Sequence, residues 1–148
     1  MINIDKIKQL RKETGISISK CRNVLEEAEG DIEKAKEILR KMGEEFAKKK
    51  EERETKEGII ESYIHPNKRI GAMVKLRCES DFVARSDEFK KLAHELCLQI
   101  AAVDPEETPL KSQPWIKDES RTIGDLINEY IAKLGENIVV EKFTRYKL

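Results

Sequence analysis

Across one short stretch, Cys78-Glu79-Ser80-Asp81-Phe82-Val83-Ala84-Arg85, the hydrophobic period of the chain changes from that of a strand to that of a helix. Before it, Ala72, Val74, Leu76 and Cys78 alternate with Met73, Lys75, Arg77 and Glu79, the pattern of a strand with one buried face. After it, Phe89, Leu92, Ala93, Leu96, Cys97 and Ile100 recur at amphipathic-helix spacing. Ser86 is placed to cap that helix and Pro105 to stop it. A corner between two such elements is where a rigid scaffold holds side chains outward. This corner sets an acid beside a large ring in a chain that is only 5% aromatic, so a ring spent there needs a reason. We read Phe82 as a wedge and Asp81 as its polar companion, both aimed at a partner protein. The structural alternatives are a helix cap for Asp81 and a core position for Phe82.

The rest of the chain builds around that corner. Ile60, Ser62 and Ile64 share one face of an earlier strand, and Pro66-Asn67-Lys68-Arg69 turns it into the next, giving a hairpin. Gly58 and Gly71 mark places where another group comes close. Residues 104–121 read as a loop with three prolines, with Trp115 plugging the edge of the core. Thr122 and Asp125 form a capping box for a helix carrying Leu126, Ile127, Tyr130, Ile131 and Leu134, which Gly135 ends. Ile138–Tyr146 is a strand by its β-branched and aromatic content. Upstream, residues 4–42 read as three short helices. Ile4, Ile7 and Leu10 line the first, Ile18, Cys21, Leu25 and Ala28 the second, and Ile32, Ala35, Leu39 and Met42 the third. Gly15, Gly30 and Gly43 end them, and Ser17 and Asp31 cap the last two. The expected class is α+β: a three-helix bundle over 1–43, a charged and partly helical linker over 44–57, and a core over 58–148. That core is a small three-stranded antiparallel sheet packed with helices.

Charge narrows the function. Lys plus Arg and Asp plus Glu both number 29, so the basic excess of a nucleic-acid binder is missing. No apolar run approaches the roughly 18 residues of a spanning helix. The opening Met1–Lys6 shows neither an h-region nor an Arg/Ser-rich composition, so the expectation is a cytoplasmic protein with no membrane partner. The cysteines Cys21, Cys78 and Cys97 are odd in number, widely spaced and without a CxxC pair, which reads as buried reduced thiols. The histidines are His65, before a turn proline, and His94, one helical turn from Cys97. Neither has a nucleophile or paired acid at a triad or metal spacing. The expectation is no enzyme, no metal and no cofactor.

Several motifs resemble a known family. The runs Ile7-Lys8-Gln9-Leu10-Arg11-Lys12-Glu13-Thr14-Gly15, Cys21-Arg22-Asn23-Val24-Leu25 and Glu29-Gly30-Asp31-Ile32-Glu33-Lys34-Ala35 look like the ubiquitin-associated-type (UBA-like) module that opens elongation factor Ts. The same module occurs in ubiquitin receptors and ribosome-associated proteins, so a ubiquitin-like or nascent-chain binding module without exchange activity is the alternative. It leaves the Asp81-Phe82 corner unexplained. Gly58-Ile59-Ile60, Tyr63-Ile64-His65, Ile70-Gly71, the 78–85 corner and Gly135-Glu136-Asn137-Ile138-Val139-Val140 extend the likeness to nearly the whole chain. Ser80 departs from the family's usual threonine but keeps the hydroxyl.

The resemblance implies a guanine-nucleotide exchange factor that binds elongation factor Tu with GDP, dislocates its magnesium and promotes exchange for GTP. It assigns partner contact and magnesium dislocation to Ser80, Asp81, Phe82 and Val83, and secondary contacts from the first module to Arg11, Ile18 and Ser19. Most members carry a second, related core half, and here only the proline loop stands in its place. Short members form homodimers, which implies a homodimer through the core sheet. Some short forms bridge the two chains by a cysteine in the last strand, where this chain has Thr144.

Overall fold

The computed structural model describes residues 3–148. The chain divides into two compact units, one up to Glu45 and one from Phe46. The first holds α1 (Ile4–Thr14), α2 (Ile18–Glu27) and most of α3 (Ile32–Lys50). Each start is capped by a side-chain oxygen taking up free backbone N–H groups, from Asn3, Ser17 and Asp31 in turn. Gly15 closes α1 in the left-handed region at φ 72°, where a side chain would be strained. The helices meet over Ile7, Leu10, Cys21, Val24, Leu25, Ala28, Ala35 and Leu39. Lys36 of α3 pairs with Glu13 of α1 at 2.8 Å.

Two expectations fail in this unit. Ile4, Ile18 and Met42 stand exposed rather than in the stripes: the first two open their helices, and Met42 lies past Leu39, the last residue of this core. Gly43 does not end α3, which runs on to Lys50. Glycine costs about 1 kcal/mol within a helix. Continuing the helix brings Phe46 and Ala47 onto the apolar core of the second unit, which offsets that.

In the second unit β1 (Glu57–Ile64) and β2 (Ile70–Cys78) form the expected hairpin. The last strand, β5 (Ile138–Lys147), pairs with the other edge of β2, so the order is β1-β2-β5, all antiparallel. Helix α5 (Asp87–Ala102) covers one face. Ala72, Val74, Leu76 and Cys78 meet it there, with Phe89, Leu92, Leu96 and Ile100 opposite. The register slips between Lys75 and Leu76, which leaves Glu141 as an extra residue in β5. That bulge lets its carboxylate reach both Lys75 (2.8 Å) and Arg77 (3.0 Å).

The proline stretch is not a structureless loop. It holds a 3-10 turn at Leu110–Ser112 and a small hairpin of β3 (Pro114–Trp115) and β4 (Asp118–Thr122) before α6 (Ile123–Leu134). Gln99, wholly buried on α5, organises it. Its amide nitrogen donates to Gln113 Oε1 and the Pro114 carbonyl, and its oxygen accepts the Ile116 N–H. Prolines supply no backbone donors, so a side-chain amide does the joining. Trp115 lies against the core edge as expected, with the Arg121 guanidinium 4.8 Å over its ring. The Thr122–Asp125 capping box forms, and Gly135 ends α6 at φ 75°.

Gly58 and Gly71 differ in what they permit. A Cβ on Gly58 would lie 2.2 Å from the Leu76 carbonyl oxygen, which is backbone and cannot step aside. A Cβ on Gly71 would press on the tip of Ile64, at 2.8 Å, with the Tyr63 carbonyl oxygen at an ordinary contact distance of 3.5 Å. Gly58→Ala is therefore expected to cost on the order of 1–3 kcal/mol by overpacking. Gly71→Ala should cost less than half as much, because Ile64 can rotate away. Paired denaturant titrations of the two variants check the order.

Candidate functional site

The corner after β2 is built from both ends. Ser80, extended at φ −120° and ψ 153°, is the N-cap of a one-turn helix, α4 (Asp81–Ala84). Its hydroxyl accepts the Val83 N–H at 3.2 Å. At the far end the Ser86 hydroxyl donates to the Val83 carbonyl (2.7 Å) and accepts the Phe89 N–H (3.2 Å), which starts α5. The turn is thus pinned between two serine caps.

Within the turn the side chains divide. Val83 and Ala84 are buried in the core. About 100° per residue then sends Asp81 and Phe82 to the other side. Phe82 is 86% exposed, above every other large apolar side chain among the described residues. Asp81 is exposed too and holds Arg85 at 2.9 Å. The four residues expected to touch a partner therefore do two different things. Asp81 and Phe82 are presented, whereas Ser80 caps and Val83 anchors. Val83 is the apolar foot that roots the one-turn helix in the core. Arg11, Ile18 and Ser19 all lie exposed in the first unit.

Two residues that residue patterns did not single out complete the site. Glu136, just after α6, takes the N–H groups of Glu79 (3.0 Å) and Ser80 (2.9 Å) on one oxygen. Its other oxygen takes the Ser80 hydroxyl at 2.6 Å. Asn137 beside it is buried and donates to the carbonyls of Glu51 and Arg53. The only signal for either was their place in the run Gly135–Val140.

The rest of the chemistry is muted. Burial pushes the Cys78 thiol from 9.0 to about 11, with the Glu136 carboxylate adding to it. Burial pushes Cys97 to about 12, with Glu61 adding. Both stay protonated at neutral pH, which disfavours nucleophilic or ligand roles. Cys97 is buried and donates to the Glu61 carbonyl, while His94 is exposed, so the pair one turn apart does not share an environment. Among the described residues no group of three or more His, Cys, Asp or Glu is disposed to hold a metal ion, and no helix is long and apolar enough to cross a membrane.

Comparison with known proteins settles the family. The family model described as elongation factor TS matches residues 5–105 and again 79–148. The chain belongs to the elongation factor Ts family. Elongation factor Ts of Thermotoga neapolitana is 42% identical over 99% of this chain and 97% of its own length. Those of Methylacidiphilum infernorum and Caldanaerobacter subterraneus are each 38% identical, over 99% of this chain and 95% and 96% of theirs. The protein is thus a translation elongation factor by family. The Thermotoga alignment spans 191 positions against a chain of 148 residues, so that relative carries residues for which this chain has none. The two matches to the family model overlap over residues 79–105, the segment that contains the exposed ring.

The raised thiols carry a stability consequence. Their folded pKa values lie above the unfolded value near 9.0, so the folded state keeps protons that the unfolded state releases. That contribution is fully present below about pH 9 and is lost as the pH rises toward 11 and 12. Thermal melting should show Tm falling across this alkaline window. Cys97→Ala should melt lower at pH 7 but with a shallower alkaline slope.

Proposed function

We propose that this chain is a guanine-nucleotide exchange factor for elongation factor Tu, with Phe82 as the wedge and Asp81 beside it. The observation that carries this is a phenylalanine held 86% exposed on a pinned turn, in a member of the elongation factor Ts family. A ring kept in water by its own fold gains nothing within its own chain. It gains by entering another protein.

The mechanism needs no bond chemistry. An exchange factor binds the nucleotide-free partner more tightly than the GDP-bound one, and by linkage it weakens GDP by the same factor. Burying a phenylalanine is worth roughly 1.5–3 kcal/mol. At about 1.4 kcal/mol per tenfold, the ring alone supplies roughly ten- to hundredfold. Asp81 adds a carboxylate beside the partner's magnesium, which belongs to the partner's nucleotide site and neutralises phosphate charge there. Displacing that ion removes much of what holds GDP. Residues 1–43 serve as the docking module through Arg11, Ile18 and Ser19. Residues 44–57 act as the connection and 58–148 as the lever, with Ser80 and Val83 framing the tip.

We further propose that the core sheet pairs with a second copy. The face of the sheet turned away from α5 carries Ile60, Ile64, Met73 and Tyr146, all exposed. Both sheet edges, β1 and β5, lack a neighbouring strand among the described residues. Such a face and such edges favour self-association. Thr144 stands opposite Met73 on this face, so packing and not a disulfide would hold the copies together.

Release of labelled GDP from elongation factor Tu tests the exchange function. The protein should accelerate it, and Phe82→Ala should lose about ten- to hundredfold of the acceleration. Because the ring touches no core, Phe82→Ala should leave stability within about 0.5 kcal/mol of wild type. A chain that leaves GDP release unchanged is a binding module only. Sedimentation equilibrium tests the assembly. The wild type should sediment as a dimer and Ile64→Lys combined with Tyr146→Glu as a monomer, and a monomeric wild type removes the second copy.

A further inference from the structure

The run Gly135-Glu136-Asn137 takes no part in the exchange chemistry above, yet its side chains reach the tip. Glu136 accepts three hydrogen bonds from the corner: two backbone N–H groups and the Ser80 hydroxyl. The exchange is mutual. Glu79 Oε1, on that corner, accepts the Asn137 N–H at 3.1 Å. Two corners far apart in sequence thus trade a carboxylate for each other's backbone N–H. A second layer braces them. The Arg53 guanidinium sits 2.9 Å from the same Glu79 oxygen, and the Asn137 amide donates to the Arg53 (3.0 Å) and Glu51 (3.4 Å) carbonyls.

The tip needs this support. Helix α4 is four residues long, and a single helical turn does not sustain itself in water. Its backbone bonds are few: the Ala84 N–H to the Ser80 carbonyl and the Arg85 N–H to the Asp81 carbonyl, both 3.1 Å, and the Ser86 N–H to the Val83 carbonyl at 3.0 Å. Phe82 makes no packing that would orient it. Its direction is set by its neighbours, Val83 and Ala84 in the core on one side and Ser80 on the other. Ser80 spends its N–H and its hydroxyl hydrogen on Glu136, and its hydroxyl oxygen on Val83. Hydrogen bonds to an ionised carboxylate are about twice as strong as neutral ones.

We propose that Glu136 is a positioning residue: its carboxylate locks the Ser80 corner and so holds Phe82 ordered before any partner arrives, with the Asn137–Glu79–Arg53 layer as its brace. What the ordered tip acts on rests on the exchange function proposed above. Glu136 acts through the Glu79 and Ser80 groups it holds. Ordering the tip during folding removes an ordering cost from the encounter. Without the clamp the tip is competent only part of the time, and the activity scales with that fraction. The first unit stays intact in such a variant, so docking persists and the maximal rate falls.

The test uses the full chain in two assays, backbone amide hydrogen exchange by NMR and GDP release from elongation factor Tu. The chains compared are wild type, Glu136→Ala, Glu136→Gln, Ser80→Ala and the Glu136→Ala/Ser80→Ala double variant. In Glu136→Ala the amides of Glu79 and Ser80 should exchange at least about tenfold faster while those of α5 hold. Maximal acceleration of GDP release should fall about tenfold, with the half-saturating concentration within about twofold. Glu136→Gln keeps one acceptor oxygen and should recover part of both effects. The double variant should lose less than the two single losses combined, because the pair acts as one unit. Should Glu136→Ala not fold, Glu136→Gln carries both measurements, with about threefold effects expected in each. Amides of 79 and 80 that stay as protected as in wild type overturn the proposal. So does full acceleration from a variant whose corner has lost its protection. If wild type itself leaves GDP release unaccelerated, the exchange function fails, and hydrogen exchange alone decides whether Glu136 is the clamp.

Discussion

A single helical turn cannot hold its own shape, and this molecule stakes its most exposed ring on one. Four residues provide too few internal bonds to outweigh the backbone entropy of fixing them. Everything around α4 answers that constraint. Ser80 and Ser86 cap its two ends. Val83 and Ala84 root it in the core beneath. Glu136 takes the polar groups of the strand end that leads into it. The sheet and α5 supply the floor, in which β2 is the central strand with partners on both sides. The ring projects from the one part of the corner that nothing covers.

Much of this was legible in residue order because it is local. The switch of period at Cys78, the caps at Ser17, Asp31, Ser86 and Thr122, and the hairpin turn at Pro66–Arg69 each depend on neighbours a few positions apart. The antiparallel sheet with a strand, helix, helix, strand order followed from them. The outward place of Phe82 was read only from its position at the corner between two elements. The division of labour within the tip was not legible. Side-chain type does not reveal that Ser80 and Val83 face inward to caps and core while Asp81 and Phe82 face outward.

What sequence concealed was long-range or paid for elsewhere. Glu79 and Glu136 look like two of many surface carboxylates, and only the sheet brings their corners together across 57 positions. Gln99 looks like a polar break in an apolar stripe, but its amide replaces backbone donors that the prolines lack. That same amide turns an apparent loop into a hairpin. Gly43 looks like a terminator, because its cost is local and the reward, Phe46 and Ala47 on the second core, is not. In each case the deciding partner lies outside the window in which propensity is judged.

An aromatic residue standing in solvent is a preferred cleavage point for digestive-type proteases, yet such enzymes act only on chain that can be drawn out straight across their cleft. Phe82 offers the side chain and withholds the backbone. Two serine hydroxyls, two carboxylates and a buried valine would all have to let go before the peptide bond after the ring could be threaded. The same bonds that fix the direction of the ring hold that peptide bond in a turn, away from the extended form that cleavage requires.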